Sequence, residues 1–366
     1  MYQQLMRRVR AGIWVVAAGL AWVPRVAAEE KTAAQARTAI TRAVAFLSHA
    51  QQPDGSFAVS ICRDRTLTTG CTPDPATQPV GIVLRGLSSV TTPDKNTLLS
   101  KAAQFLKTQM NGEGLFQYHT RSHVLAAVEP ATLEDTCVNR AALEQAGDSL
   151  PSVVPQLAAY RTIGGTFYPF AYPVQEANLL KSNGEARKRF TERYRPDLAY
   201  LVDVVDPVVN ANIFSYLAMQ TGGDDALCRY LVNVSSSGSS NGSSVFYESP
   251  NIFAQAFSRA YVQGAACLEP GVPNLRASLL ARQQPDGSWG NSLETAWALS
   301  ALSNLGARRD ALDRAVRFLL NQQNSDGSWK QEAWWSLVTS GYWFGSPDVT
   351  TGFVLEALGG YLTARH

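Results

Sequence analysis

One short segment recurs almost letter for letter at widely separated points of the chain. Gln51-Gln52-Pro53-Asp54-Gly55-Ser56-Phe57 returns as Gln283-Gln284-Pro285-Asp286-Gly287-Ser288-Trp289, and once more as Gln322-Gln323-Asn324-Ser325-Asp326-Gly327-Ser328-Trp329. A degenerate copy spans Gln109 to Phe116. Recurrence on this scale marks one supersecondary unit used repeatedly, so the fold must be a ring or stack of such units. Helix-like text precedes the copies: Ala43, Val44, Phe46 and Leu47 before the first, Ala315, Val316, Phe318 and Leu319 before the last. Each copy reads as a helix end closed by a tight Asp-Gly turn. Glycine accepts the left-handed conformation, aspartate bonds its own backbone, and the aromatic folds back as an anchor. Asp54, Asp286 and Asp326 are therefore turn residues rather than acids of a reaction.

A second kind of helix lies between the copies, rich in Ala, Val, Leu and Gly, at Pro79–Val90, Leu133–Ala146, Pro207–Gln220, Pro250–Gln263, Leu293–Leu305 and Val349–Leu362. Each pairs with a preceding helix: Lys31–Gln52, Lys95–Met110, Leu150–Arg161, Asp224–Asn233, Asn274–Gln284 and Arg309–Gln323. A helix apolar all round must be buried on nearly all sides. Six hairpins with buried inner members close into an all-α (α/α)6 toroid over residues 29–366. Residues 162–200, rich in Gly, Tyr, Phe and Pro, read as a loop insertion that could plug the ring, and no strand pattern competes.

The spacing Gln-x-x-x-Gly-x-Trp after a Phe-Leu helix end resembles the QW motif of the squalene–hopene cyclase and protein prenyltransferase superfamily. Gln51/Gly55/Phe57, Gln283/Gly287/Trp289 and Gln323/Gly327/Trp329 carry the likeness. The resemblance implies a terpenoid-cyclase-like toroid, here a single-barrel, exported member, with the motifs tying outer helices together. Cyclases of that family protonate an isoprenoid with an Asp-x-Asp-Asp-Thr motif. The nearest match is Thr132-Leu133-Glu134-Asp135-Thr136. Glu134 stands where the proton-donating Asp would be, and Asp135 and Thr136 match the following positions. Thr132 replaces the first Asp.

A second partial match is Asp203-Val204-Val205-Asp206, followed by Pro207, Asn210 and Asn212. The chemistry needs a carboxylic acid kept protonated in an apolar cavity beside a second carboxylate. It also needs aromatic faces for the developing cation. Glu134, Asp135, Asp203 and Asp206 are the candidate acids. Asn210, Phe214, Trp297, Trp334, Trp335 and Trp343 are candidates for the ligand wall. A capping role competes for each acid: Thr132-x-x-Asp135 is a capping box, Asp206-Pro207 an N-cap with proline at the first helical position, and Asn291-x-x-Glu294 caps another inner helix. Inner-helix N-termini would gather at one mouth of the toroid, which places a ligand there.

Other chemistry finds less support. His119 and His123 sit in polar text that reads as an exposed loop, no histidine lies within metal-ligand spacing of a cysteine, and neither metal nor cofactor is expected. Phosphate loops and Gly-x-Ser-x-Gly elbows are absent. With 32 Lys and Arg against 30 Asp and Glu, scattered evenly, the charge gives no nucleic-acid footprint. Arg7, Arg8 and Arg10, an apolar run from Ala11 to Val23, and Val26-Ala27-Ala28 make residues 1–28 a secretory signal, too short to span a membrane. Its removal leaves 28 basic against 30 acidic residues. Export makes two disulfides plausible, Cys62 with Cys71 and Cys228 with Cys267, leaving Cys137 as a small core residue. The expected function is an acid-catalysed isomerase or cyclase acting on an isoprenoid or similar hydrophobic molecule. Two alternatives stay open: a non-catalytic toroid binding a ligand or an envelope component, and a glycan-active lyase or hydrolase, for which Glu134, Asp203, Asp206 and Glu294 are the carboxylates.

Overall fold

A computed structural model of the chain describes residues 29–171, 188, 191–194, 198, 201–202, 204–237, 244–337 and 340–364. The proposed leader, residue Asp203 and most of the 172–200 segment lie outside the described residues. Two concentric layers of helices account for the hairpins. The inner layer is α2 (Gln78–Ser88), α4 (Leu133–Gln145), α6 (Pro207–Thr221), α8 (Pro250–Val262), α10 (Ser292–Asn304) and α12 (Pro347–Thr363). Each packs on the next, and α12 returns to α2, closing the ring. The outer layer is α1 (residues 29–50), α3 (Lys95–Gln109), the short α5 (Val154–Ala158), α7 (Asp225–Ser236), α9 (Val272–Arg282) and α11 (Arg309–Gln322). Inner helices begin as their sequences dictate. Thr132, Asp206, Ser249, Asn291 and Ser346 accept first-turn N–H groups, and Pro207, Pro250 and Pro347 take positions where no N–H is needed. At the closure, a Cβ on Gly86 would lie 2.3 Å from the Gly352 carbonyl oxygen, so the two backbones meet with no room for a side chain.

The repeated segment ties the outer layer together. In each of the three clear copies the glutamine amide bridges its own turn to the next outer helix. Gln51 Nε2 donates to the carbonyls of Gly55 (3.2 Å) and Leu98 (3.1 Å), and Gln283 Nε2 to those of Gly287 (3.0 Å) and Ala311 (2.9 Å). Gln323 Nε2 reaches Gly327 (2.9 Å) and Ala39 (2.9 Å), which fastens the last outer helix to the first. The Trp289 and Trp329 indoles donate back to Leu279 (2.9 Å) and Leu319 (2.8 Å) of the preceding helix. Asp54, Asp286 and Asp326 each accept the N–H of the serine two residues on, as turn residues should. Two looser copies complete the set. Asn111 to Phe116 and Thr162 to Phe167 close the same turn, Gly114 N–H bonding Asn111 and Gly165 N–H bonding Thr162. The start of the expected insertion is thus a repeat turn, in which Arg161 replaces the glutamine, donating to Gly165 (2.8 Å) and pairing with Asp224 of the next hairpin.

The structure corrects the expectation of no strands. A four-stranded antiparallel sheet forms in the order β2 (Thr72–Pro73), β1 (Ser60–Cys62), β4 (Tyr342–Gly345), β3 (Ala333–Leu337). It joins the α1–α2 connection to the α11–α12 connection, with Ile61 paired to Phe344 across the seam of the ring. Cys62–Cys71 and Cys228–Cys267 are bonded pairs, the first tying β1 to the loop before β2. Cys137 is buried and lone, and burial pushes its thiol far up, so it is a core residue and no nucleophile. Among the described residues no helix is long and apolar enough to cross a membrane.

Candidate functional site

The inner-helix N-termini and the sheet enclose a cavity of about 370 Å³ at one mouth of the ring. Its floor comes from the first turns of α2, α4 and α6 (Gln78, Glu134, Asp135, Val209), and the sheet roofs it with Ile61, Trp335, Leu337, Tyr342 and Phe344. Pro169, Phe170, Leu198 and Leu201 close one side, so the 162–200 segment walls the cavity where it is described. Backbone bonds from Thr132 N to Phe116 O (2.9 Å) and from Leu133 N to Pro169 O (2.8 Å) fix the start of α4, and with it Glu134.

Glu134 is buried, and one of its oxygens is fully committed. Oε1 accepts from Asn212 Nδ2 (2.7 Å) and from the Tyr247 hydroxyl (2.8 Å). The Asn212 amide is itself oriented, because Arg259 Nη1 donates to its Oδ1 (3.1 Å) and an arginine can only donate. Arg259 is held by Glu356 on α12 (3.0 Å). With two donors on Oε1, the acid proton belongs on Oε2, to which no described side chain donates. Burial first, then the neighbouring Asp135, lifts the Glu134 carboxyl to about 8, against the two hydrogen bonds that favour its ionised form. Asp135 is lifted by burial to about 7, opposed by its bond from the Thr132 hydroxyl. Near neutral pH Glu134 is thus a carboxylic acid whose conjugate base has two donors waiting.

Beside this acid stands a cluster the sequence did not reveal. His119, expected on an exposed loop, is 5% exposed and bonds Asp74 Oδ1 through Nε2 (3.2 Å) and Glu129 Oε2 through Nδ1 (2.9 Å). Burial opposes its charge, but the two carboxylates prevail and raise it to about 9, so it is an imidazolium. His123 stacks on it, ring centroids 4.1 Å apart and planes within 10°. Asp74, His119 and His123 bring their ligand atoms within 4.8 Å of one another, as a cation site would. Both His119 nitrogens, however, are already bonded to carboxylates, so an ion would have to displace one of them. The Leu125 N–H also already occupies His123 Nδ1 (3.1 Å). Tyr118 donates to Asp74 Oδ2 (3.1 Å) and meets the stacked Trp335–Phe344 pair, whose centroids are 3.9 Å apart. Only the pairing of distant loops brings these groups together, which is why no local motif announced them.

The remaining candidates separate. Glu134, Asp135 and Trp335 line the cavity. Asp206 does not: Oδ1 accepts from Val208 N (2.8 Å) and Val209 N (3.1 Å), and Oδ2 from Val245 N (2.9 Å), so it caps α6 and pins a distant loop. An Asp206→Ala variant is expected to lose about 2 kcal/mol of stability, measured by denaturant unfolding, with cavity ligand binding retained. Asn210 is also structural. Its amide exchanges bonds with Phe167 N (2.8 Å) and O (3.0 Å), anchoring the third repeat turn. Phe214 is fully buried in the core. Trp297 packs edge-on against Phe353, and with Trp334 and Trp343 it borders a separate void of about 20 Å³, too small for an organic ligand. Trp343 donates to Glu248 (2.9 Å). Glu294 accepts from Asn251 (2.7 Å) and Ser249, outside the cavity.

Six hairpins closed into a double-layered ring make the fold an all-α (α/α)6 toroid. Among solved structures the chain is similar to a variant of the type II terpene cyclase MstE from Scytonema in complex with its substrate geranylgeranyl dihydroxybenzoate (TM-score 0.70, 18% identity, 92% of this chain and 100% of that one). It is also similar to a protein from Actinoplanes (TM-score 0.67, 16% identity, 90% and 100%). The ent-copalyl diphosphate synthase from Streptomyces platensis matches at TM-score 0.56 and 17% identity, over 78% of this chain and 50% of that one. At these identities the likeness is one of fold. No family model and no curated protein matches the chain.

Proposed function

We propose that this protein is an acid-catalysed isomerase or cyclase acting on an isoprenoid or comparable alkene-bearing hydrophobic molecule, with Glu134 as proton donor. The observation that carries the reading is the buried Glu134 carboxyl itself, held by Asn212 and Tyr247 in an aromatic-walled cavity, where burial pushes it towards its protonated form. The step balances without any co-reactant. The Oε2 proton passes to one carbon of an alkene, the π bond breaks as the new C–H bond forms, and a carbocation remains on the neighbouring carbon. An internal alkene can then close a ring by giving its electron pair. Loss of a proton to water ends the reaction, and Glu134 regains its proton from solvent, so product and substrate are isomers. The Asn212 and Tyr247 donors stabilise the carboxylate formed, while Trp335, Phe344, Phe246 and Phe170 offer π faces to the cation. The cyclases of similar fold support this direction, as one was solved with a geranylgeranyl substrate. The bonded cysteine pairs suit the export expected from residues 1–28.

The test is turnover of prenyl alcohols and hydrocarbons of graded length in deuterated water, read by mass spectrometry. Cyclised product carrying one new deuterium is expected from the wild type, with a loss of about a hundredfold or more in Glu134→Gln. Full turnover in that variant would remove Glu134 as the acid. Tight binding without turnover in the wild type would favour the non-catalytic toroid. The glycan reading draws nothing from Asp206 and Glu294, which are spent on backbone and side-chain bonds away from the cavity.

A further inference from the structure

The charge of the cavity wall restricts what can lie against it. Four carboxyl groups line it, Asp74, Glu129, Glu134 and Asp135, and among the described residues no lysine or arginine does. Among the described lining residues the one cation is His119, whose ring nitrogens are both committed to Asp74 and Glu129, at 3.2 and 2.9 Å, so it has no donor left for an incoming anion. Nearby arginines are spent elsewhere: Arg65 pairs with Glu248 (3.0 Å) and Arg259 with Glu356 (3.0 Å). Arg63 lies over the Tyr342 ring, 4.0 Å from its centroid, without lining the cavity. Acceptors, by contrast, remain open. No described side chain donates to Glu129 Oε1 or to Asp135 Oδ1. A phosphate or carboxylate placed here would lose its hydration and meet carboxylates, whereas an ammonium or hydroxyl would find acceptors already desolvated. The volume of about 370 Å³ holds on the order of a dozen methylene-sized groups at ~30 Å³ each.

We propose that the cavity takes an isoprenoid-type ligand of short to medium length whose polar end is a hydrogen-bond donor, an amine or an alcohol, and that Glu129 and Asp135 receive that end and reject phosphate and carboxylate heads. This rests on the reading of the cavity as the ligand site and is independent of the acid chemistry. It also sets the chain apart from the similar cyclase crystallised with a benzoate.

The test holds the tail constant and changes the head. Binding of geranylamine, geraniol, geranyl phosphate and geranic acid to the full-length Glu134→Gln protein is measured by isothermal titration calorimetry, the variant preventing turnover. Geranylamine is expected to bind on the order of a hundredfold more tightly than either anion, with geraniol between them. Asp135→Asn or Glu129→Gln, made in the same background, is expected to shrink the amine's advantage about tenfold, and having two variants guards against one failing to fold. Anions binding as well as the amine, equal affinity for all four heads, or no binding of any would each overturn the proposal. Absence of turnover in the wild type together with the expected head preference would count against acid catalysis alone.

Discussion

Glu134→Gln is expected to remove much of the protein's sensitivity to alkali. In the folded protein the carboxyl holds its proton up to about 8, against an ordinary value of 4.5. A group raised in this way contributes stability that is fully present below the unfolded value and is lost as pH rises towards the folded one. Between pH 5 and 8 the wild type should therefore lose on the order of 4 kcal/mol from this site, at about 1.4 kcal/mol per unit. Glutamine imitates the protonated acid. Its carbonyl oxygen still accepts from Asn212 and Tyr247, and its amide stands where Oε2–H stood, with nothing to ionise. Denaturant midpoints across this pH range should fall steeply in the wild type and distinctly less in the variant. Asp135 and Asp348, raised to about 7 and about 6, and His119, raised to about 9, account for much of the slope that remains. Equal slopes in the two proteins would show that Glu134 does not hold that proton.

The other large effect is expected at the closure of the outer ring. Gly327 has φ +95°, and a Cβ there would lie 2.3 Å from the Arg42 carbonyl oxygen on α1. That neighbour is helical backbone and cannot turn aside. Gly327→Ala thus combines left-handed strain with a steric clash, for a loss of roughly 3–4 kcal/mol. In a chain of this size the melting temperature should drop by roughly 4–6 °C. Gly290→Ala is a useful control, since its φ is +118° but nothing lies within 4 Å of a Cβ there. It should show the strain without the clash. If both variants melt alike, the close approach of the Gly327 turn to α1 contributes nothing.

The fold was largely legible because its rules are local. Thr132, Asp206 and Asn291 start inner helices where caps were expected, and the glutamine–glycine–aromatic turns close the outer ones. The third hairpin was obscure because Arg161 replaces glutamine and α5 is barely longer than a turn. The sheet was invisible for another reason. Strands of two to five residues carry no alternating pattern, and β1 finds β4 only across the whole length of the chain. At the site, Glu134 and Asp135 could be found from the motif at the start of α4. The roles of Asp206 and Asn210 could not, because cap and catalyst look alike until the partners of each oxygen are known. His119 was misplaced because Asp74, which helps bury and charge it, belongs to the α1–α2 connection, and Glu129 reaches it only when its own loop folds back.

The roof over Glu134 is woven from two segments far apart in the sequence. β1 lies inside the first hairpin and β4 inside the last, and their pairing is part of what encloses the cavity. During synthesis, when earlier segments can fold before later ones emerge, the pocket cannot be complete until β4 is available. A nascent chain that still lacks β4 should therefore not capture a ligand. Any molecule that fills the finished cavity will select, by mass action, for chains in which β1 and β4 have paired.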